Sequence, residues 1–124
     1  MIVRIDRAWL LDLAHRNLPG DPDIIDFGTL AAAAARHTDS VMDTPVYTEV
    51  HHRAAALMHQ LIRCPALEHS NALFGAVVAA SYLTVSGIIV DVQPKQAAAL
   101  AARIDREGLD VRAIAVELKE WAAR

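Results

Sequence analysis

The run Asn71-Ala72-Leu73-Phe74-Gly75-Ala76-Val77-Val78-Ala79-Ala80-Ser81-Tyr82-Leu83-Thr84-Val85-Ser86-Gly87 decides the fold. From Ala72 to Leu83 it is apolar on every side of a helix, and Gly87 supplies the stop. A helix with no polar face needs other elements around it, so it belongs in the middle of a bundle. At 12 residues the stretch falls short of the about 18 that a membrane span requires.

Outward from that helix, the neighbouring segments carry one-sided patterns. Before it, Val50, Ala54, Leu57, Met58, Leu61 and Ile62 form one stripe of an amphipathic helix that begins at Thr48 or Glu49 and ends at Cys64-Pro65. Further upstream, Asp6 caps a helix to about Arg16, with Trp9, Leu10, Leu13 and Ala14 on its apolar side. The run Asn17 to Pro22, with two prolines and a glycine, breaks it. Asp26 caps a second helix to about His37. Thr38 to Tyr47 reads as a loop, in which Val46-Tyr47 forms a short edge strand or flap. Downstream, Ile88 to Val92 is an extended connector that could pair with that flap. Pro94 opens a fifth helix to about Glu107, closed by Gly108. Asp110 caps a last one, on which Val111, Ile114, Leu118 and Trp121 share a face. Trp9 and Trp121 read as core packing. The expectation is an all-α, six-helix bundle around a buried central helix, with a short β flap and a single domain over residues 1–124.

Bulk composition narrows the function classes. The chain has 124 residues, 54% apolar and 22% charged, with a formal net charge of -3. That balance suits a globular core and argues against disorder. Acids and bases are interleaved with no basic stripe, so no nucleic-acid partner is expected. One cysteine, Cys64, rules out an internal disulfide framework and suits a reducing compartment. The opening residues lack the basic start and apolar run of a secretory signal. A cytoplasmic protein without a membrane segment is expected. Six histidines raise the question of metal. His52 and His59, seven residues apart on one helix face, lie about 10.5 Å apart along the axis. That separation is too large to share one ion. With His51 at the edge, they read as a solvated face, and no metal site is expected.

The loop from Arg63 to Asn71 carries the chemistry. A helix N-terminus presents free N–H groups and a positive dipole end, which suits phosphate. Ser70 and Asn71 could cap the helix and no more, or bind an anion there. His69 and Glu68 are the loop's titratable side chains, and either could act as a base. Cys64 beside a helix N-terminus could act as a nucleophile, though a lone cysteine ending a helix is more often plain packing.

The run Asp26-Phe27-Gly28-Thr29-Leu30 to Arg36, then Val46-Tyr47, Ala54 to Arg63 and Asn71 to Gly87, resembles a Doc-type toxin of the Fic/Doc family. The resemblance spans residues 3 to 124 in length and helix order. It implies a small helical bundle in which a motif loop precedes the central helix. It also implies ATP with Mg²⁺ as the donor of AMP or phosphate to a protein hydroxyl. Elongation factor Tu would be the target, with a small antitoxin protein as partner, and self-association into a homo-oligomer is left open.

The family motif is His-Pro-Phe-x-Asp-Gly-Asn-Lys-Arg, and alignment on Asn71 shows the departures. Pro65 takes the catalytic histidine position and Leu67 that of the phenylalanine. His69 takes the acidic position and Ser70 that of the glycine. Ala72 and Leu73 replace the lysine and arginine. Sliding by one puts Cys64 and Pro65 opposite His-Pro but loses Asn71. Proline cannot take a proton, and losing a general base costs about 10² to 10⁴ in rate. Leucine has no donors for phosphate, and neutral histidine is a poor Mg²⁺ ligand. The expectation is a Doc-like toxin component with impaired or altered nucleotide-dependent transfer, with His69 or Glu68 as substitute base. The alternatives are a catalytically inactive member acting by protein or nucleotide binding, and a plain helical interaction module.

Overall fold

Aspartates start three of the helices seen in the computed structural model, which describes residues 2–123. Met1 and Arg124, the ends of the expected domain, lie outside the described residues. Asp6 accepts the Trp9 N–H at 2.9 Å and opens α1 (Arg7–Asn17). Asp26 accepts from Thr29 and opens α2 (Phe27–His37). Two short strands follow, β1 (Ser40–Val41) and β2 (Thr44–Pro45). Next come α3 (Val50–Arg63), α4 (Asn71–Val85) and α5 (Pro94–Glu107). Pro94 occupies the first turn of α5, and Gly108, at φ 65°, ends it. Asp110 accepts the Ala113 N–H at 2.9 Å and opens α6 (Val111–Lys119). Among the described residues the protein is thus a six-helix, mostly-α fold with a small β flap, as expected. No helix among them is long and apolar enough to cross a membrane.

The apolar α4 sits at the centre, packed on α1, α3 and α5, with Phe74, Val78, Ala79, Tyr82 and Leu83 fully buried. Beside it lies α3, which touches α2, α4, α5 and α6 and buries Ala54 through Met58, Leu61 and Ile62. Its stripe is wider than the periodicity suggests, because Arg53, Ala55 and Ala56 are buried as well. The two helices meet closely at Gly75. A Cβ there would lie 2.7 Å from Ile62 Cγ1 and 3.0 Å from its Cδ1.

Two sequence expectations about extended segments are corrected. The flap is not at Val46-Tyr47 but one step earlier, as a hairpin pairing Ser40 with Pro45 and Val41 with Thr44. Its turn residues, Met42 and Asp43, both take left-handed angles, φ 51° and 65°. Those angles fit a two-residue hairpin turn, but the glycine or asparagine that usually signals one is missing. The connector Ile88 to Val92 does not pair with the flap. Val90 bridges to Ala122, the Asp91 N–H donates to Trp121 O at 2.8 Å, and the Ala123 N–H to Ile89 O at 2.8 Å. The last helix ends at Lys119, and the chain turns back so that buried Trp121 covers the core.

A layer of buried polar groups pins the N-terminal segment. Tyr82 Oη accepts from Arg53 Nε at 2.9 Å and donates to Val3 O at 2.6 Å. Buried His37 accepts the Ile5 N–H on Nε2 at 3.1 Å, so its proton sits on Nδ1, which donates to Ala34 O. Burial lowers the His37 pKa, and the nearby Arg53 lowers it further. Burial also lowers those of His51 and His59. A histidine held neutral in the fold but free to charge when unfolded lets the unfolded state take up more protons as pH falls.

Stability is therefore expected to be full above the ordinary histidine pKa of about 6.5 and to decline as pH drops below it. Denaturant unfolding followed across that range measures the decline. At Gly75, alanine is expected to cost about 1–3 kcal/mol through overpacking against Ile62. The midpoint of chemical unfolding of Gly75→Ala reads that cost.

Candidate functional site

Between α3 and α4, the loop 64–70 is fixed at both edges. On one side it is stitched to the segment after α1. The N–H groups of Ile25 and Asp26 both donate to Ala66 O, at 2.7 and 3.1 Å. Ile24 bridges to Leu67, and the Glu68 N–H donates to Asp23 O at 3.0 Å. On the other side it is held by Asn71. The Asn71 Oδ1 accepts from the N–H groups of Ala66 (3.2 Å) and Leu67 (3.1 Å), while Nδ2 donates to Leu67 O at 2.9 Å. Leu67 and Ala66 are buried, and Cys64 and Pro65 are exposed.

These bonds decide what each predicted residue can do. The Asn71 amide is committed to shaping the loop, with both its carbonyl and its amino group engaged. Ser70 makes no side-chain cap; it takes the left-handed angle φ 67°, and its hydroxyl is 2.8 Å from His69 Nδ1. The α4 N-terminus is therefore uncapped by side chains and opens toward a groove. Glu68 Oε1 accepts the Asp23 N–H at 3.0 Å, and the His69 ring leans toward Gly20. The two side chains approach each other at 3.9 Å.

The groove beside the α4 N-terminus has a volume of about 550 Å³ and runs between α4 and α5. Ile62, Pro65, Asn71, Ala72, Leu73 and Ala76 form one wall, and Pro94, Ala97, Ala98, Ala101, Ala102 and Asp105 the other. Pro65, Asn71, Ala72 and Leu73 are brought together there. Cys64, Leu67, Glu68, His69 and Ser70 are not among its lining residues. Its sole charged lining residue is Asp105, an anion, whose backbone carbonyl accepts from Arg63 Nη1 at 2.9 Å. The groove walls carry no cation to meet a triphosphate, and Asp105 would repel one. These residues do not fit ATP with Mg²⁺. Among the described residues no group of three or more His, Cys, Asp or Glu could hold a metal ion.

Sequence reasoning missed the second wall of the groove. The alanine pairs 97–98 and 101–102 of α5 were legible as a small-residue face, but nothing in their spacing aims them at α4. It also missed a polar cluster on the far side of α3. There His59, taken as part of a solvated face, is half-buried under Arg36, whose Nη1 lies 2.9 Å from its Nδ1. The same guanidinium reaches Gln60 Oε1 at 3.1 Å and Tyr47 Oη at 3.2 Å. Burial and the charges of Arg36 and Arg63 lower the His59 pKa, with Asp110 opposing them.

A protein named Toxin Doc from Mycolicibacterium smegmatis (strain ATCC 700084 / mc(2)155) is 29% identical to this chain over 121 residues. The alignment covers 96% of this chain and 93% of that protein. The chain is a relative of a Doc-type toxin. No family model matches it. The near end-to-end alignment takes in the loop, α4 and the α5 wall alike.

Replacing Asn71 with Ala removes three loop bonds and leaves two N–H groups and a carbonyl to find new partners. A destabilisation of about 1–3 kcal/mol is expected, together with faster proteolysis within residues 64–70. Thermal melting and mass spectrometry of the cleavage products read the two effects.

Proposed function

We propose that this protein is the toxin component of a toxin–antitoxin pair, held in check by a small antitoxin protein, and that it acts by binding rather than by nucleotide transfer. The single observation behind the toxin reading is the likeness to a Doc toxin over 96% of the chain. The binding half rests on the groove. Its alanine, leucine, isoleucine and proline walls offer apolar contact, and Asp105 disfavours phosphate. Apolar grooves of this size are where proteins take up ligands or partner segments. A transfer reaction would need a base and a phosphate-binding cation at that groove. Proline stands at one position and leucine at the other, and the substitutes Glu68 and His69 lie outside its lining. By resemblance the target would be a translation protein in the cytoplasm, met by one domain spanning the chain.

Regulated expression in a bacterial host is expected to arrest growth, with relief when the small protein encoded beside it is co-expressed. Purified protein given α- or γ-labelled ATP, Mg²⁺ and translation factors is expected to leave every band unlabelled. Absence of growth arrest would overturn the toxin reading. A labelled band, lost in His69→Ala with Glu68→Ala, would replace binding with an altered transfer chemistry.

A further inference from the structure

We propose that Arg36 is a latch on the flap and that protonation of His59 opens it. The flap hairpin returns to the body at Val46, whose N–H donates to Asp39 O at 2.9 Å and closes the base. The next residue, Tyr47, is gripped twice. Arg36 of α2 donates its Nε to the Tyr47 hydroxyl at 3.2 Å, with the guanidinium carbon 6.0 Å from the ring centroid. Arg53 of α3 donates Nη1 to the Tyr47 carbonyl at 3.2 Å and to the Thr48 carbonyl at 3.0 Å. Neither arginine forms an ion pair among the described residues. The flap exit is therefore fixed by two cations that rest on neutral acceptors.

The Arg36 end of this grip depends on one protonation state. Its Nη1 is 2.9 Å from His59 Nδ1, and a guanidinium only donates, so Nδ1 must carry a lone pair and the imidazole must be neutral. A protonated imidazole would set two donors and two positive charges face to face. The charged groups around His59 are Arg36 from α2, Arg63 from its own helix and Asp110 at the start of α6. Two cations against one anion oppose its protonation while the latch is shut. Gln60 Oε1, at 3.1 Å, is too weak an acceptor to hold Arg36 against that repulsion. Once Arg36 swings out, the Tyr47 hydroxyl loses its donor and the hairpin base loosens. The part set free has an apolar tip, with Val41 61% and Met42 93% exposed, so the latch governs how that tip is presented. This inference stands apart from the reading of the groove.

Amide exchange at Val46, expressed as a protection factor so that the intrinsic pH dependence cancels, reads the latch directly. A free histidine titrates near 6.5, so moving from about pH 7.5 to about pH 5.5 is expected to lower the wild-type protection factor up to about tenfold. Core amides such as that of Phe74 serve as the control for global loosening. His59→Asn keeps an acceptor oxygen where Nδ1 stood but cannot take a proton there. It is expected to hold the flap at both pH values and to flatten the response. Tyr47→Phe is expected to lower Val46 protection at both, also without a pH step. A flat wild-type profile, or a His59→Asn protein with the full wild-type step, overturns the proposal.

Discussion

Everything in this molecule is arranged around the close approach of α3 and α4 at Gly75 and Ile62. A Cβ at Gly75 would press on Ile62 Cγ1 and Cδ1, so the Ile62 side chain or the helix spacing would have to give. Close-packed interiors transmit such a shift, because few voids exist to absorb it. α2 and α6 pack on α3, α1 chiefly on α4, and α5 on both. The loop between the two helices inherits its geometry from this contact. Its ends are the C-terminus of one helix and the N-terminus of the other, and Asn71 ties its middle back to its own helix.

The polar interior is unusual in its charge bookkeeping. Arg53 is 6% exposed and meets only a hydroxyl and two backbone carbonyls. A buried cation without a carboxylate leans wholly on hydrogen bonds for the hydration it gave up. Tyr82 relays that demand to the N-terminal segment by donating to Val3. Burial first, and the charge of Arg53 after it, hold the His37 pKa down beside it.

Much of the helix order was legible because it rests on local chemistry. Asp6, Asp26 and Asp110 announce helix starts through a side-chain oxygen three residues from an N–H. Pro94 and Gly108 bound α5 through fixed and positive φ. The hairpin turn was not legible, since Met42-Asp43 takes left-handed angles that neither residue advertises. Nor was the pairing of Val90 with Ala122, whose partners are 32 positions apart and share no motif. At the candidate site, the loop between α3 and α4 was legible as the break between two apolar helices. That Asn71 braces the loop and the Ser70 side chain makes no cap was not legible, because a cap and a loop brace use the same side chains. Which way Glu68 and His69 turn depends on Asp23 and Gly20, and that proximity comes only from the tertiary fold.

The tethering of Val3 to Tyr82 has a kinetic side. The two residues are 79 positions apart, and closing so long a loop before other contacts exist costs entropy with little return. Helices α3 and α4, adjacent in the chain and joined by a short loop, can dock early. The segment ahead of α1 is tied down through Tyr82, whose hydroxyl also accepts from Arg53. Undoing that strap would expose the seat of Val3 and Ile5 on Tyr82 and His37 without touching the contact of α3 with α4.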